Sequence, residues 1–195
     1  MDMTDRSCGC LLGLAAGDAL GTTLEFAKEG NFEPLTDMVG GGPFKLVAGQ
    51  WTDDTSMALC LAESLVTCGL AASQKPEGAA DAAFSPSHQL NTYSRWLNDG
   101  HLASNCRFFD VGMATKAAID DWGRSDRASK APLSCGEGQR RGGNGSLMRL
   151  APVPVLSAAA EAPLASLAPR AIELCALSSR TTHSDPAAVD SCRYL

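Results

Sequence analysis

The densest group of oxygen-bearing side chains in this sequence is the run Thr52-Asp53-Asp54-Thr55. Carboxylate and hydroxyl oxygens are the ligands that Mg²⁺ and Mn²⁺ prefer, and consecutive residues at a helix start can direct several of them at one or two ions. Such a site needs further ligands, for which Asp18 and Glu25 are candidates. Capping of a helix N-terminus by Thr52 or the aspartates is the alternative interpretation, and the run alone leaves both open.

A second candidate site is the glycine-rich stretch Gly142-Gly143-Asn144-Gly145-Ser146. Glycines allow backbone N–H groups to approach a phosphate, and a helix start adds positive potential. Arg149 would add charge to such a site. The stretch lacks the lysine of a P-loop and the strand of a dinucleotide fold. A plain flexible loop is therefore the alternative interpretation.

The third candidate is His183, which lies just before a predicted helix in Thr182-His183-Ser184-Asp185-Pro186. An imidazole can donate a hydrogen bond to a phosphate or a sugar. Capping of the helix by Thr182 or Ser184 is the alternative. A catalytic triad of Ser146, His183 and Asp185 is rejected, because the sequence has no Gly-x-Ser-x-Gly elbow.

Apolar periodicity predicts that helices position these residues. The Thr-Asp-Asp group precedes a helix with an apolar stripe, and Gly69 is its predicted end. Four glycines recur every four residues near the N-terminus, which predicts one smooth helix face and the close approach of another helix: Gly9, Gly13, Gly17 and Gly21. Further helices are predicted at Leu90–Leu97, Met113–Trp122 and Pro169–Leu177, and from Ala187 onward. No alternating strand is present, residues 30–50 are predicted to be loop, and residues 71–88 a mobile insertion.

Composition excludes several functional classes. The 195 residues carry a net charge of −6 and no run of five basic residues, which argues against nucleic acid and polybasic membrane anchoring. Cys8–Leu24 is apolar, but it lacks a positively charged leader, and lipid would leave Asp18 unpaired, so we predict a buried helix and no membrane partner. Several of the eight cysteines lie in apolar helical patterns, which predicts reduced thiols and a cytoplasmic location.

Five segments, in order and with sensible spacing, resemble the ADP-ribosylglycohydrolase family, which includes the dinitrogenase-reductase-activating glycohydrolases. They are GCLLGLAAGDALGTTLEF, WTDDTSMALCLAESL, FFDVG, GGNGSLMRLAPV and THSDPAAVDSCRYL. Each is a weak signal alone, and the five together are specific. The likeness extends from residue 7 to residue 195, apart from 70–90 and 123–138.

The resemblance implies an all-α orthogonal helical bundle with a binuclear Mg²⁺ or Mn²⁺ site. It implies a hydrolase that cleaves the bond between ribose C1″ of ADP-ribose and a modified protein side chain, for which arginine is our expectation. The partner would be an ADP-ribosylated protein or ADP-ribose. The resemblance assigns ten site residues: Thr52, Asp53 and Asp54 as metal ligands, Glu25 and Asp110 as catalytic carboxylates, Asn144, Gly145, Ser146 and Met148 around ADP-ribose, and His183 near its diphosphate.

These residue types suit glycosidic cleavage. Carboxylates stabilise the oxocarbenium-like transition state and transfer protons, and two metal ions can orient ribose hydroxyls and lower the pKa of a bound water. Glu25 is the expected base and Asp110 is expected to face the modified side chain.

One departure from the family pattern concerns the second half of the metal site, an Asp-x-Asp-Thr motif that this sequence lacks. We therefore expect residues 1–195 to form the N-terminal two-thirds of a single domain, incomplete at its C-terminus. Two alternatives to an active hydrolase stay open, namely a non-catalytic ADP-ribose-binding relative and an inactive fragment.

Overall fold

The computed structural model describes residues 2–73, 84–126, 141–158 and 164–195. These residues form seven α-helices: α1 (Met3–Gly21), α2 (Asp53–Ser73), α3 (Pro86–Asp99), α4 (Met113–Arg124), α5 (Pro152–Ala158), α6 (Leu164–Arg180) and α7 (Pro186–Tyr194). A 3₁₀ turn, Thr22–Leu24, follows α1. Within the described ranges there is no strand, only an isolated antiparallel bridge between Gly41 and Leu46. The all-α prediction is confirmed.

Helix α2 is the centre of the core because it contributes to both of its hydrophobic clusters. The first cluster, shared with α3 and α4, contains Met57, Cys60, Leu90, Tyr93, Trp96, Ala103, Ile119 and Trp122. The second, shared with α5, α6 and α7, contains Leu61, Leu65, Leu150, Val153, Cys175 and Cys192. Burial of each large apolar side chain contributes about 1.5–3 kcal/mol, so both faces of α2 are anchored. Its N-terminus is thereby held in a fixed position.

Several helix ends differ from the predicted ones. Helix α2 continues past Gly69 to Ser73, because the apolar pattern persists and Gly69 keeps a negative φ. Helix α3 begins at Pro86, where the Ser85 hydroxyl accepts from His88 N at 3.2 Å. The predicted insertion 71–88 is therefore helical at both ends, and residues 74–83 lie outside the described chain. Helix α6 begins at Leu164, ahead of Pro169.

The start of α7 also corrects a prediction. Asp185 is the N-cap, and its side chain accepts from Ala187 N at 2.9 Å. Neither Thr182 nor Ser184 has this role. Pro186 occupies the first helical position, where a missing N–H costs nothing.

The prediction of a buried α1 with a closely packed glycine face is wrong. Ala19 is its only buried residue. A Cβ placed on any of the four glycines, Gly9, Gly13, Gly17 and Gly21, would meet no atom of the described chain within 4 Å. The stripe faces open space because α1 contacts α2 and α5 through other residues, of which Asp18 is one.

Two described segments are long and apolar enough to span a membrane by length and composition: Met3–Leu24 and Asp53–Ala72. The second segment belongs to the core helix α2, and 44% of its apolar stretch is buried inside the protein. In the first segment the buried share is 11%. The seven described cysteines are free thiols, and Cys135 lies outside the described residues. The cytoplasmic location stays a prediction.

Candidate functional site

The predicted site residues meet at a cavity of about 780 Å³. Its walls come from the C-terminal end of α1 and the turn after it, the start of α2, the start of α4, the loop 142–148 and the segment before α7. Nine of the ten predicted residues line it: Glu25, Thr52, Asp53, Asp54, Asp110, Asn144, Gly145, Met148 and His183. The structure thus brings together segments that are far apart in sequence.

Asp18 positions the acidic segment, a role that sequence reasoning missed. Its Oδ1 accepts from Thr52 Oγ1 at 2.7 Å, and its Oδ2 accepts from Thr55 Oγ1 at 2.6 Å. The same carboxylate accepts from Thr52 N at 3.0 Å and from Thr55 N at 3.0 Å. A charge on α1 therefore caps α2, which satisfies two of its free N–H groups and complements its dipole. Both Asp18 oxygens accept hydrogen bonds from the start of α2, so the position of Asp18 in this structure is that of a cap.

Five carboxylates interact electrostatically at this end of the pocket. Burial, followed by repulsion from Asp54 and Asp110, raises the pKa of Asp53 to about 7. Burial and the charge of Asp18 raise the pKa of Asp54. Burial, together with repulsion from Asp110 and Asp54, raises the pKa of Glu25. Among the described residues no Lys, Arg or His side chain forms an ion pair with these carboxylates. Clustered carboxylates of this kind are the electrostatic setting that a divalent cation relieves.

The donor set fits a hard cation as a partial coordination shell. Because the Thr52 hydroxyl donates its proton to Asp18, its oxygen lone pairs are free to face an ion. Asp53 and Asp54 add carboxylate oxygens from the same helix start. In the part of the chain that the structure describes, no three His, Cys, Asp or Glu side chains form a group that could hold a metal. Further ligands would be required to complete such a site.

The glycine-rich loop forms the opposite wall. Gly145 has no room for a side chain, because a Cβ there would lie 2.9 Å from Thr115 Oγ1 and 3.0 Å from His183 Cε1. Gly143 adopts φ +107°, a conformation that favours glycine. Asn144 is exposed at the pocket, while its carbonyl accepts from Leu147 N at 2.8 Å and Met148 N at 3.0 Å. The loop backbone therefore closes against His183.

Ser146 is the one predicted site residue whose side chain the structure places elsewhere. It is buried beneath the loop, where its hydroxyl accepts from Ser179 Oγ at 2.8 Å. Cys192 Sγ lies 3.5 Å away on α7. The substrate-binding role predicted for this side chain does not fit its position, because the turn directs it into the core. It ties the loop to α6 and α7 instead.

Arg149 is fully buried under the loop and does not reach the pocket surface. Its Nη1 donates to the Gly145 carbonyl at 3.0 Å, and its Nη2 donates to Thr182 Oγ1 at 2.7 Å. The guanidinium lies 4.6 Å from the centre of the Tyr93 ring. The charge that sequence reasoning assigned to a phosphate contact thus acts from below, through the groups that form the wall.

His183 is buried in the same wall, with 2% of its surface exposed. Its Nδ1 lies 2.8 Å from Thr182 Oγ1, and its backbone N donates to Ser179 O at 2.8 Å. Burial, with the positive charges of Arg149 and Arg141, lowers the pKa of His183 to about 4. The ring is therefore neutral near pH 7 and can offer one N–H to the pocket.

Phe26 was also missed by sequence reasoning. It follows Glu25 with φ +61°, is 77% exposed and lines the pocket. Its ring meets Phe44 edge-on at 6.3 Å, and Phe44 lies 5.2 Å from Phe109, the neighbour of Asp110. An aromatic row thus borders the carboxylates. The Glu-Phe pair in the sequence was the only available signal, and it does not encode a left-handed backbone.

Comparison with known proteins agrees with this geometry. The family model for ADP-ribosylglycohydrolase matches residues 1–195. An ADP-ribosylarginine hydrolase Tri1 from Pseudomonas putida (strain GB-1) is 44% identical over 77% of this chain, and its namesake from Serratia proteamaculans (strain 568) is 35% identical over 98%. The ADP-ribosyl-[dinitrogen reductase] glycohydrolase of Rhodospirillum rubrum is 33% identical over 98%. A solved structure, an ADP-ribosylglycohydrolase-related protein complex, superposes with a TM-score of 0.67 at 33% identity over 98% of this chain.

The chain spans only part of these relatives. It matches 36%, 45% and 55% of the three sequences, in the order given, and 53% of the solved chain. The likeness nevertheless covers this chain from end to end, and its site residues lie together at one pocket. The chain belongs to the ADP-ribosylglycohydrolase family.

Proposed function

We propose that this protein is a hydrolase that removes ADP-ribose from a modified protein side chain. The observation that carries the proposal is one pocket in which clustered carboxylates face a glycine-rich loop and a buried histidine. This pairing suits a ligand with a cationic acceptor at one end and a diphosphate at the other. Family membership supports the same chemistry.

Arginine is the proposed acceptor. Two relatives carry the name ADP-ribosylarginine hydrolase. In this chain, the acidic end of the pocket offers a guanidinium the charge of Asp110 and the exposed aromatic face of Phe26. Carboxylates and aromatic rings are the two surfaces to which a guanidinium binds best. Asp110 is therefore proposed to orient the modified side chain.

Glu25 is the proposed general base. It is half-buried, lines the pocket, and accepts a hydrogen bond from Thr22 Oγ1 at 3.4 Å. Burial and the neighbouring carboxylates raise its pKa, which makes it a better proton acceptor. It would take a proton from the water that attacks ribose C1″ as the bond from C1″ to the arginine nitrogen breaks, and the released guanidine would receive that proton. Nearby carboxylates would stabilise the oxocarbenium-like state.

Thr52, Asp53 and Asp54 are the residues that would hold Mg²⁺ or Mn²⁺, with further ligands supplied from outside the described set. Such an ion supplies charge that orients ribose hydroxyls and lowers the pKa of a bound water. The contribution of this chain is to hold the three donors in place, through the Asp18 cap of α2. Asn144, Gly145, Met148 and His183 would contact the ADP-ribose moiety.

The test measures release of ADP-ribose from a protein that is ADP-ribosylated on arginine, with and without Mg²⁺ or Mn²⁺. We expect release with metal, loss of release in EDTA, and loss in Asp53→Asn with the fold retained. Asp120→Asn is the matched control, because Asp120 lies on α4 and pairs with Lys116 on the surface. Turnover in EDTA, or full turnover by Asp53→Asn, would contradict the metal-dependent mechanism.

Binding of ADP-ribose without turnover is the second candidate function for this chain. It is favoured by the absence, in the described ranges, of three acidic, histidine or cysteine side chains grouped for a metal. Calorimetric titration with ADP-ribose distinguishes the two. Binding with no release from the modified protein, in saturating Mn²⁺, would establish a binding role, and release would establish the hydrolase.

A further inference from the structure

Arg149 is a buried cation whose partners in the described chain are neutral. It contacts the Gly145 carbonyl, the hydroxyls of Thr182 and Thr181, and the Tyr93 ring. Its Nε is buried with no hydrogen-bond partner. Burial of a charge with no opposite charge in direct contact is costly, so stability alone does not account for an arginine here.

The hydrogen bonds of Thr182 define a direction. A guanidinium can only donate, so Thr182 Oγ1 accepts from Arg149 Nη2 at 2.7 Å. The hydroxyl has one proton of its own, and the described acceptor within reach is His183 Nδ1 at 2.8 Å. Thr182 Oγ1 and His183 Nδ1 are both satisfied when Thr182 accepts from Arg149 and donates to Nδ1. In a neutral imidazole the ring proton must then be on Nε2.

The Nε2 atom lies at the pocket wall. A Cβ on Gly143 would be 3.8 Å from it, and a Cβ on Gly145 would be 3.2 Å from it. Both glycines and His183 line the pocket. Because these positions carry no side chain, the loop places no side-chain atom against the Nε2 edge of the ring.

We propose that Arg149 and Thr182 are positioning residues that hold His183 in the Nε2–H tautomer, as a neutral donor to an oxygen of the bound ligand. The same guanidinium holds the Gly145 carbonyl through Nη1, so one buried side chain aligns both the loop and the imidazole. The assignment of that oxygen to the diphosphate or ribose of ADP-ribose rests on the proposed function. The tautomer does not.

A low pKa of His183 supports this assignment, because the ring stays neutral at pH 7. The charged groups that lower it, Arg149 and Arg141, approach from beneath the loop and from the segment ahead of it. Because the donor is neutral, the positive charge is that of Arg149, buried beneath the loop. It attracts an anion through its electrostatic potential rather than by direct contact.

The test uses long-range ¹H–¹⁵N correlation spectra of the ¹⁵N-histidine-labelled chain at pH 7. The chain has three histidines, and the signals that disappear in His183→Gln are those of His183. Wild type should show a protonated Nε2 and an unprotonated Nδ1 at His183. Thr182→Val should lower the population of the Nε2–H tautomer of His183, and Thr182→Ser should keep it at the wild-type level. Arg149→Lys should lower it to a smaller extent.

The matched control is Thr92→Val, which removes a buried hydroxyl that donates to Gln89 O within its own helix at 2.8 Å. It should leave the His183 signals unchanged. An Nδ1–H or imidazolium form in the wild type would overturn the inference, and the wild-type spectrum decides this even if Thr182→Val does not fold. An unchanged tautomer in folded Thr182→Val would overturn it as well.

Titration with ADP-ribose adds a functional readout. Loss of the Thr182 hydroxyl should weaken binding about fivefold to tenfold, the effect of one hydrogen bond, with no change in Thr92→Val. Equal binding by folded Thr182→Val would overturn the positioning role. If wild type shows the Nε2–H tautomer but does not bind ADP-ribose, the proposed function fails and the assigned acceptor with it, while the positioning of the ring stands.

Discussion

The two ends of the pocket differ in how completely the chain satisfies its own polar groups. At the acidic end, burial, and after it repulsion from neighbouring carboxylates, raises the pKa values of Asp53, Asp54 and Glu25. At the loop end, Arg149, Thr182 and His183 form a continuous chain of hydrogen bonds with distances of 2.7 and 2.8 Å. The carboxylates of one end repel one another, whereas the side chains of the other end are already linked by hydrogen bonds.

This difference separates two uses of burial. Burial beside like charges stores unfavourable electrostatic energy that a bound ion releases. Burial inside a satisfied network fixes orientation before any ligand arrives. The acidic end is also anchored by one contact from outside its helix, Asp18, which keeps the repelling groups in place.

The largest expected effect comes from removal of the loop-end cation. Arg149→Ala should lower the free energy of unfolding by about 3–4 kcal/mol, because it leaves a cavity and unpairs the Gly145 carbonyl. Chemical denaturation measures this. Arg180→Ala, which breaks a partly exposed pair with Glu173, should cost under about 1 kcal/mol. A cost for Arg149→Ala no greater than that of Arg180→Ala would refute a preassembled loop end.

The next effect concerns the anchor of the acidic end. Asp18→Asn places an NH₂ group against donors of Thr52 or Thr55 and removes the charge at the start of α2. We expect a loss of about 2–3 kcal/mol in unfolding free energy and weaker Mn²⁺ binding by calorimetry. Asp2→Asn is the control, since Asp2 caps the exposed start of α1 and Asn caps equally well. Equal stability of the two variants would mean that the cap is dispensable.

The two ends should respond to pH with opposite signs. The folded pKa of Asp53, about 7, exceeds its ordinary 3.8, so the folded state binds more protons and stability falls as pH rises through this window. The folded pKa of His183, about 4, lies below its ordinary 6.5, so stability is lost as pH falls through that window. Each contribution is expected to be roughly 3–4 kcal/mol.

Thermal unfolding of the metal-free chain between pH 4 and pH 7 measures these slopes. Asp53→Asn removes the carboxyl whose contribution to stability decreases as pH rises. The stability of this variant should therefore increase with pH more than that of wild type. His183→Gln removes the imidazole whose contribution to stability increases as pH rises. The stability of this variant should therefore increase with pH less than that of wild type. Parallel curves for the three proteins would show that the pocket ends do not titrate as assigned.

The smallest effect compares two glycines. Gly145→Ala should cost about 1–2 kcal/mol, because its Cβ would press on Thr115 and His183 at 2.9 and 3.0 Å. Gly13→Ala, on the open face of α1, should instead stabilise the chain by up to about 1 kcal/mol. Melting temperatures of both variants test this. Destabilisation by Gly13→Ala would imply a partner for the α1 glycine face in solution.

Much of the fold was predictable because helix signals are local. The apolar stripe after Asp54 placed α2, and Met113–Trp122 lies within α4. The errors were also local in origin. Glycine is typical of a helix end, but α2 continues past Gly69 to Ser73. The α1 glycines are typical of close helix packing, but no described helix lies against them.

The candidate site was predictable as a set of residue types, since clustered carboxylates and glycines are visible in one dimension. Their partners were not. Asp18 lies 34 residues before Thr52, and Arg149 lies 33 residues before Thr182. Sequence alone gives no distance between such positions.

By itself, the sequence determined the all-helical character, the family resemblance and nine of the residues at the pocket. Tertiary structure alone decided that Ser146 turns into the core, that Asp18 caps α2, and that Arg149 acts beneath the loop. The physical reason is that propensity and periodicity depend on neighbours along the chain, whereas burial, hydrogen-bond direction and pKa depend on neighbours in space.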